Sequence, residues 1–312
     1  LLLPLSLTEG NRFSKLVNVP TLGLLIGTVL VCGSFLLLGT LLFQPVGFCT
    51  RERVTAPPAE KRSLCQNLTE MWRIQSYRRI LLSGLLRTPT GLMNLLQMTV
   101  LSYYFGNNGR TPYVHYMLLL GIPAFLGQLI AAGAAPKLAD KHGAANTFAK
   151  ANVLAGLAIL AAFALFLCRP QQLTQAMPFT LLILLLFCNM FCCGLVNTVQ
   201  SILIADVADQ TEKESGIRRD GIFVSGQSLL IKLSTGVSAL LQGLVFAISG
   251  FSGTAVSQIN RTLYAGADFA TDPSFAAPRF AMFFLFLCLP GIAYLLSALP
   301  YRKSRNSHRV PE

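Results

Sequence analysis

Lysine 232 sits inside a long apolar run, FVSGQSLLIKLSTGVSALLQGLVFAI, and a primary ammonium in such a run needs a counterpart. It lies about ten residues into the helix that the run predicts, roughly 15 Å at 1.5 Å per residue. That is too deep for comfortable snorkelling, and an ammonium at mid-bilayer costs about 2.5–3.5 kcal/mol on insertion scales. An ionisable group held there at such a cost is by default a functional-site residue, one that meets water, an ion or a solute. The alternative is a lysine paired with a carboxylate for packing alone, but no acidic residue of this chain sits at matching depth.

A second group of chemically capable residues is ADVADQTEKESGIRRDG, residues 205–221, with eight charged side chains in seventeen positions. Asp206, Asp209 and Glu212 recur every third residue, so they share one helix face. Arg218 and Arg219 fall just before the next apolar run, and Gly216 and Gly221 bracket a turn. Opposite charges on two neighbouring helix ends can pair and hold the ends together. An ordinary solvated loop is the plainer reading.

The elements that would position these residues are apolar and long. The 312 residues are 53% apolar and 12% charged, with a mean hydropathy of +0.56, whereas soluble domains carry about 25% charged residues. Seven runs are long enough to cross a bilayer as helices, near 21–43, 80–105, 114–135, 147–168, 178–204, 222–248 and 280–300. The runs lack the alternation of a membrane β-barrel. The expected fold class is an all-α membrane protein. The chain opens LLLPLSLTEG, without Met or a basic segment, so residues 1–7 read as the tail of a helix begun upstream.

The formal net charge is +12, but its distribution argues for topology rather than for nucleic-acid binding. Of the 25 Lys and Arg, 17 fall in one alternate set of loops and the tail, 6 in the other, and Arg87 and Lys232 lie within spans. The positive-inside rule places the richer set and the C-terminus in the cytoplasm. The eight cysteines form no paired clusters, so neither zinc nor a disulfide framework is indicated, and Cys192–Cys193 reads as small apolar packing. No metal site and no cofactor is expected.

Polar residues recur at helical spacing in three runs. Ser225, Ser228, Lys232, Thr235 and Gln242 mark one stripe; Arg87, Thr90, Asn94, Gln97 and Tyr104, with Pro89 as a kink, mark a second; Asn189, Cys193, Asn197 and Gln200 mark a third. Three such stripes need a shared polar interior, which a bundle lining a solute path supplies. Interhelical hydrogen bonding is the alternative.

The pattern A-D-x-x-D-x-x-E-x-x-x-G-x-R-x-x-G, Ala205 to Gly221, followed by Lys232 in the membrane, resembles the glycoside–pentoside–hexuronide:cation symporters, the melibiose-permease branch of the major facilitator superfamily. Thr50-Arg51-Glu52-Arg53 and Tyr103-Tyr104-Phe105 are similar to shorter motifs of that family, and together these features span residues 20–301. The resemblance implies helices 6–12 of a twelve-helix transporter. Residues 1–47 would end the N-terminal half, 48–79 form the central cytoplasmic loop, 80–301 the complete C-terminal six-helix bundle and 302–312 a basic tail. It further implies sugar or glycoside uptake coupled to Na⁺ or H⁺ by alternating access, in the bacterial inner membrane, with the missing N-terminal half needed for function. The cation and substrate site would include Lys232, Asn94, Gln97, Tyr104 and Asn197; the cytoplasmic clamp would be Asp206, Asp209, Glu212, Arg218 and Arg219. Pro136 to Gly143 is similar to a superfamily loop motif with Pro for its first Gly and Lys for its Arg, which carries only a gating role over to Asp140. The carboxylates that bind the coupling cation belong to helices 2 and 4, upstream of residue 1. Trp72 lies in the cytoplasmic loop, so stacking on a sugar would fall to Tyr103, Tyr104, Phe187 or Phe191, or to the missing half.

Three other readings compete. One is a non-sugar substrate on the same fold. Another is a membrane enzyme holding Mg²⁺ at Asp206 and Asp209, one turn apart, although the flanking residues lack the remainder of a phosphatidyltransferase motif. The third is a seven-helix receptor or retinal protein, against which Lys232 falls in the penultimate span and no Trp-lined pocket exists.

Overall fold

The computed structural model describes residues 72–107, 114–216, 220–248 and 253–302. The chain divides into two compact units, Leu1–Arg62 and Ser63–Glu312, and every described residue belongs to the second. The first expected span, the Thr50–Arg53 motif, Arg218, Arg219 and the tail from 303 lie outside the described residues.

Apolar runs dictate helices because a bilayer offers the backbone no other hydrogen-bond partner. The elements are α1 (Gln75–Leu86), a 3₁₀ turn (Thr88–Thr90), α2 (Gly91–Val100) ending in a π turn (Leu101–Phe105), α3 (Val114–His142), α4 (Ala144–Cys168) and α5 (Ala176–Ser215). There follow α6 (Asp220–Ile248), α7 (Gly253–Ala265), a 3₁₀ turn (Pro273–Phe275), α8 (Ala276–Phe283), a π turn (Phe284–Cys288), α9 (Leu289–Ser297) and α10 (Leu299–Arg302). Strands do not occur among the described residues. Five segments are long and apolar enough to cross a membrane: Tyr116–His142, Ala144–Cys168, Ala176–Glu214, Phe223–Val245 and Pro273–Tyr301. The broken helix from α1 to the π turn joins them as the sixth member of the bundle.

That break has a local cause. Pro89 has no N–H for the carbonyl of Leu85, and the Thr88 hydroxyl donates to that carbonyl instead, at 2.9 Å. At the junction of α3 and α4, Gly143 takes φ +81°, a conformation that costs glycine little. Thr147 Oγ1 then donates to the Leu138 carbonyl at 3.0 Å and fixes the reversal.

Glycines set how closely the helices approach. A Cβ on Gly194 of α5 would stand 2.7 Å from the Ala131 Cβ and 3.0 Å from backbone of Gln128 on α3. A Cβ on Gly156 of α4 would stand 2.9 Å from the Gly291 carbonyl oxygen on α9. Small residues at such crossings let backbones pack without a side chain between them. The crossings bury half of the α4 and α5 spans and 56% of the last, against 11% for α3 and 6% for α6. Aromatic residues fill the end of the bundle nearest α7, where Phe166 stacks on Phe283 and Tyr104 meets Phe283 edge-on.

Between the expected spans 222–248 and 280–300 lies α7, whose Ile259 and Leu263 are buried. The chain after α7 is strapped down by side chains of other elements. Asn107 donates to the Ala267 carbonyl at 3.2 Å and accepts from the Phe269 N–H at 3.1 Å; Arg279 donates to the carbonyls of Phe269 and Ala270.

Candidate functional site

The polar residues of the bundle divide into two populations. The first is turned inward and partnered. Arg87 Nη2 donates to Gln200 Oε1 at 2.9 Å, joining the helix break to α5. Ser83 donates to the Ser297 carbonyl at 2.6 Å, and Asn189 donates to the Ala155 carbonyl at 3.2 Å. Cys193 Sγ lies 2.8 Å from the Tyr294 hydroxyl. Cys193 packs against the hydrophobic core, as read from the sequence, and its thiol also hydrogen-bonds the phenol of Tyr294.

The second population faces outward. Asn94 and Gln97 on α2, Asn197 on α5 and Lys232 on α6 are exposed. Among the described residues none of these four side chains has a hydrogen-bond or ion-pair partner. Ser228 and Thr235, on the same side of α6 as Lys232, are also exposed and turn their hydroxyls back to the carbonyls of Val224 and Ile231. Bare amides and an ammonium cannot face hydrocarbon cheaply.

The structure separates the members of two expected stripes. Tyr104 is 2% exposed; its hydroxyl donates to the Pro170 carbonyl at 2.9 Å, within the aromatic core rather than on the face of Asn94 and Gln97. The wider winding of the π turn at 101–105 slips the register by enough to carry Tyr104 inward. Tyr103 spends its hydroxyl on Asn260 Oδ1 of α7, at 3.1 Å. On α5, Asn197 stands about 80° around the helix from Asn189, while Gln200 stands only about 20° away. Asn189 and Gln200 are accordingly buried and Asn197 is not.

At the end of α5 the acidic face is present as one ridge. The helix has 40 residues, about 60 Å at 1.5 Å each, or twice the hydrocarbon thickness. Its last turns must leave the membrane, and there Asp206 and Asp209 are exposed and Glu212 is half-buried. Gly216, at φ +68°, closes the helix with its N–H on the Glu212 carbonyl at 2.8 Å. Asp140 is exposed three residues before Gly143. Trp72 is exposed as well. Among the described residues no three or more His, Cys, Asp or Glu come together as a metal site.

The bundle has the form of a partnered inward scaffold with polar side chains exposed on α2, α5 and α6. Consistent with that form, residues 21–303 match the family described as MFS/sugar transport protein. The chain belongs to this family. It is a multi-pass membrane protein of a transporter family, which removes the enzyme and receptor readings.

The chain is 26% identical to the inner membrane symporter YicJ of Escherichia coli (strain K12) over 311 residues, covering 94% of this chain and 58% of that protein. It is also 26% identical, over 189 residues, to an uncharacterized 29.9 kDa protein in the crtE 3′ region of Pseudescherichia vulneris, covering 61% and 62%. The chain thus spans about three fifths of the curated relatives that it matches.

Proposed function

We propose that the chain is the C-terminal, path-lining part of a cation-coupled symporter that moves a sugar or glycoside by alternating access. The observation that carries this reading is the set of unpartnered polar side chains, Asn94, Gln97, Asn197 and Lys232, on outward faces of membrane-spanning helices. Such faces are tolerated at membrane depth where they border a wet cavity. In alternating access that cavity lies between two helical bodies near the midplane, so the second body would come from the N-terminal half of the transporter. The family description and the symporter relative support a sugar and a coupling cation, Na⁺ or H⁺.

Lys232 has the role of a charge that changes partner as cation and solute arrive. Asn94, Gln97 and Asn197 offer amide donors and acceptors suited to sugar hydroxyls. Asp206, Asp209, Glu212 and Asp140, with Arg218 and Arg219, act as a cytoplasmic clamp that biases which side is open. The YicJ relative supports placement in a bacterial inner membrane, and the loop charges support a cytoplasmic C-terminus.

Uptake of labelled glycosides into proteoliposomes tests the reading. Under an imposed sodium or proton gradient, the wild type accumulates a glycoside and Lys232→Cys loses at least about 1.4 kcal/mol of coupling, which is tenfold in accumulation. Equal accumulation by the two proteins would refute the role given to Lys232.

A further inference from the structure

Lys232 is carried by the least buried span of the bundle, so something must decide which way it points. Side chains tie α6 to α1 and to the helix break at two levels. Near its start, the Tyr77 hydroxyl of α1 donates to the Phe223 carbonyl at 2.7 Å, and the two rings pack edge-on at 4.8 Å. Three turns further on, Ser234 and Ser238 both donate to one acceptor, the Thr88 carbonyl, each at 2.9 Å.

The shared acceptor is the Thr88 carbonyl in the 3₁₀ turn at the helix break, and the close approach exists because residue 91 is glycine. A Cβ there would stand 2.6 Å from Ser238 Oγ and 3.4 Å from Ser234 Oγ. Hydrogen bonds and steric fit therefore point to the same contact. At 100° per residue, Phe223, Ser234 and Ser238 fall within about 60° of one another, and Lys232 falls about 180° from Phe223. Leu230, in the same sector as Phe223, lies against Gly84.

We infer that Tyr77, Ser234 and Ser238 form a two-level mount that fixes the rotation of α6 and so aims Lys232 away from its own bundle. They are positioning residues, acting on Lys232 through the helix. The inference rests on the reading of Lys232 given above for its functional meaning, but its geometry can be measured independently. Two interhelical hydrogen bonds of ordinary strength are enough to shift a rotational equilibrium by about tenfold.

The test uses the full transporter in lipid vesicles, with genetically encoded spin labels at exposed positions 154 on α4 and 233 on α6. Labels there leave Lys232 and every cysteine in place. Pulsed dipolar spectroscopy of the Ser234→Ala/Ser238→Ala protein should show the distance distribution broadened or displaced by about 5 Å, half the width of a helix. The single variants, each keeping one bond to Thr88, should give smaller changes; should the double variant not fold, these together with Tyr77→Phe decide the matter. In uptake, the serine variants should lower the maximal rate more than they raise KM, because Lys232 is present but misdirected. An unchanged distance distribution in the folded variants overturns the mount. Altered distances with unaltered uptake would keep the mount and count against the role of Lys232.

Discussion

Helices α5 and α6 carry similar polar content into the membrane and use it in opposite ways. On α5, Asn189, Cys193 and Gln200 turn toward α4, α9 and the helix break after α1, and each finds a partner there. On α6, Ser228, Lys232 and Thr235 turn away from the bundle, while Ser234 and Ser238 reach across to the Thr88 carbonyl. Half of the α5 span is buried, against 6% of the α6 span. The difference separates a member that holds the body together from one that the body displays. The inward population is close to fully satisfied: only Asn152 Oδ1 and the Tyr301 hydroxyl are buried without a partner among the described residues.

Thermal unfolding in detergent can break or sharpen that contrast. The largest loss is expected from Gly194→Leu, which forces a side chain into the crossing of α5 and α3 where even a Cβ would meet Ala131 at 2.7 Å. The expected cost is about 3 kcal/mol, at the upper end for overpacked positions, and an unchanged melting temperature would mean that α5 is not the load-carrying helix. Gln200→Leu comes next, at about 2 kcal/mol, since it strips the Arg87 guanidinium of its partner inside the bundle.

Lys232→Met should be nearly neutral in the same measurement, within about 0.5 kcal/mol, as outward substitutions away from packed features usually are. A destabilisation as large as that of Gln200→Leu would place Lys232 in the scaffold and erase the distinction between the two helices.

The smallest effect is expected at the strap. Asp272 accepts from the Ser274 hydroxyl at 2.7 Å and from its N–H at 2.8 Å, and these bonds, the hydroxyl first, hold the carboxyl below its ordinary value of 3.8. A depressed folded-state pKa contributes stability that is present above 3.8 and lost as pH falls through the lower folded value. Melting temperature should therefore decline slightly more on acidification below that point in the wild type than in Asp272→Asn. Identical slopes would show that the cap adds nothing.

Much of this fold could be read from the residues. The runs 114–135, 147–168, 178–204 and 222–248 fall inside α3, α4, α5 and α6, because twenty apolar residues leave few alternatives to a helix. Pro89 also marked its break. The faces of the stripes were harder. Ideal periodicity puts Tyr104 beside Gln97, but the π turn carries Tyr104 inward, and Asn197, about 80° from Asn189 and 60° from Gln200, falls just outside the buried sector of α5. Arg87–Gln200 and Cys193–Tyr294 escaped notice for a different reason. Each joins helices about a hundred positions apart, and nothing in either segment alone announces the other. α7 was missed because its polar residues, such as Gln258 and Asn260, look like loop composition until one sees Ile259 and Leu263 turned inward.

The strap beyond α7 has a consequence for how this chain can change over generations. Asn107, Gln171 and Arg279 grip carbonyl oxygens of Ala267, Phe269, Ala270 and Thr271, not their side chains. Those carbonyls are common to every amino acid. Exposed position 271 is thus free to drift, whereas Ala267 and buried Ala270 are also held by packing, and the path of the main chain is inherited through three residues encoded elsewhere.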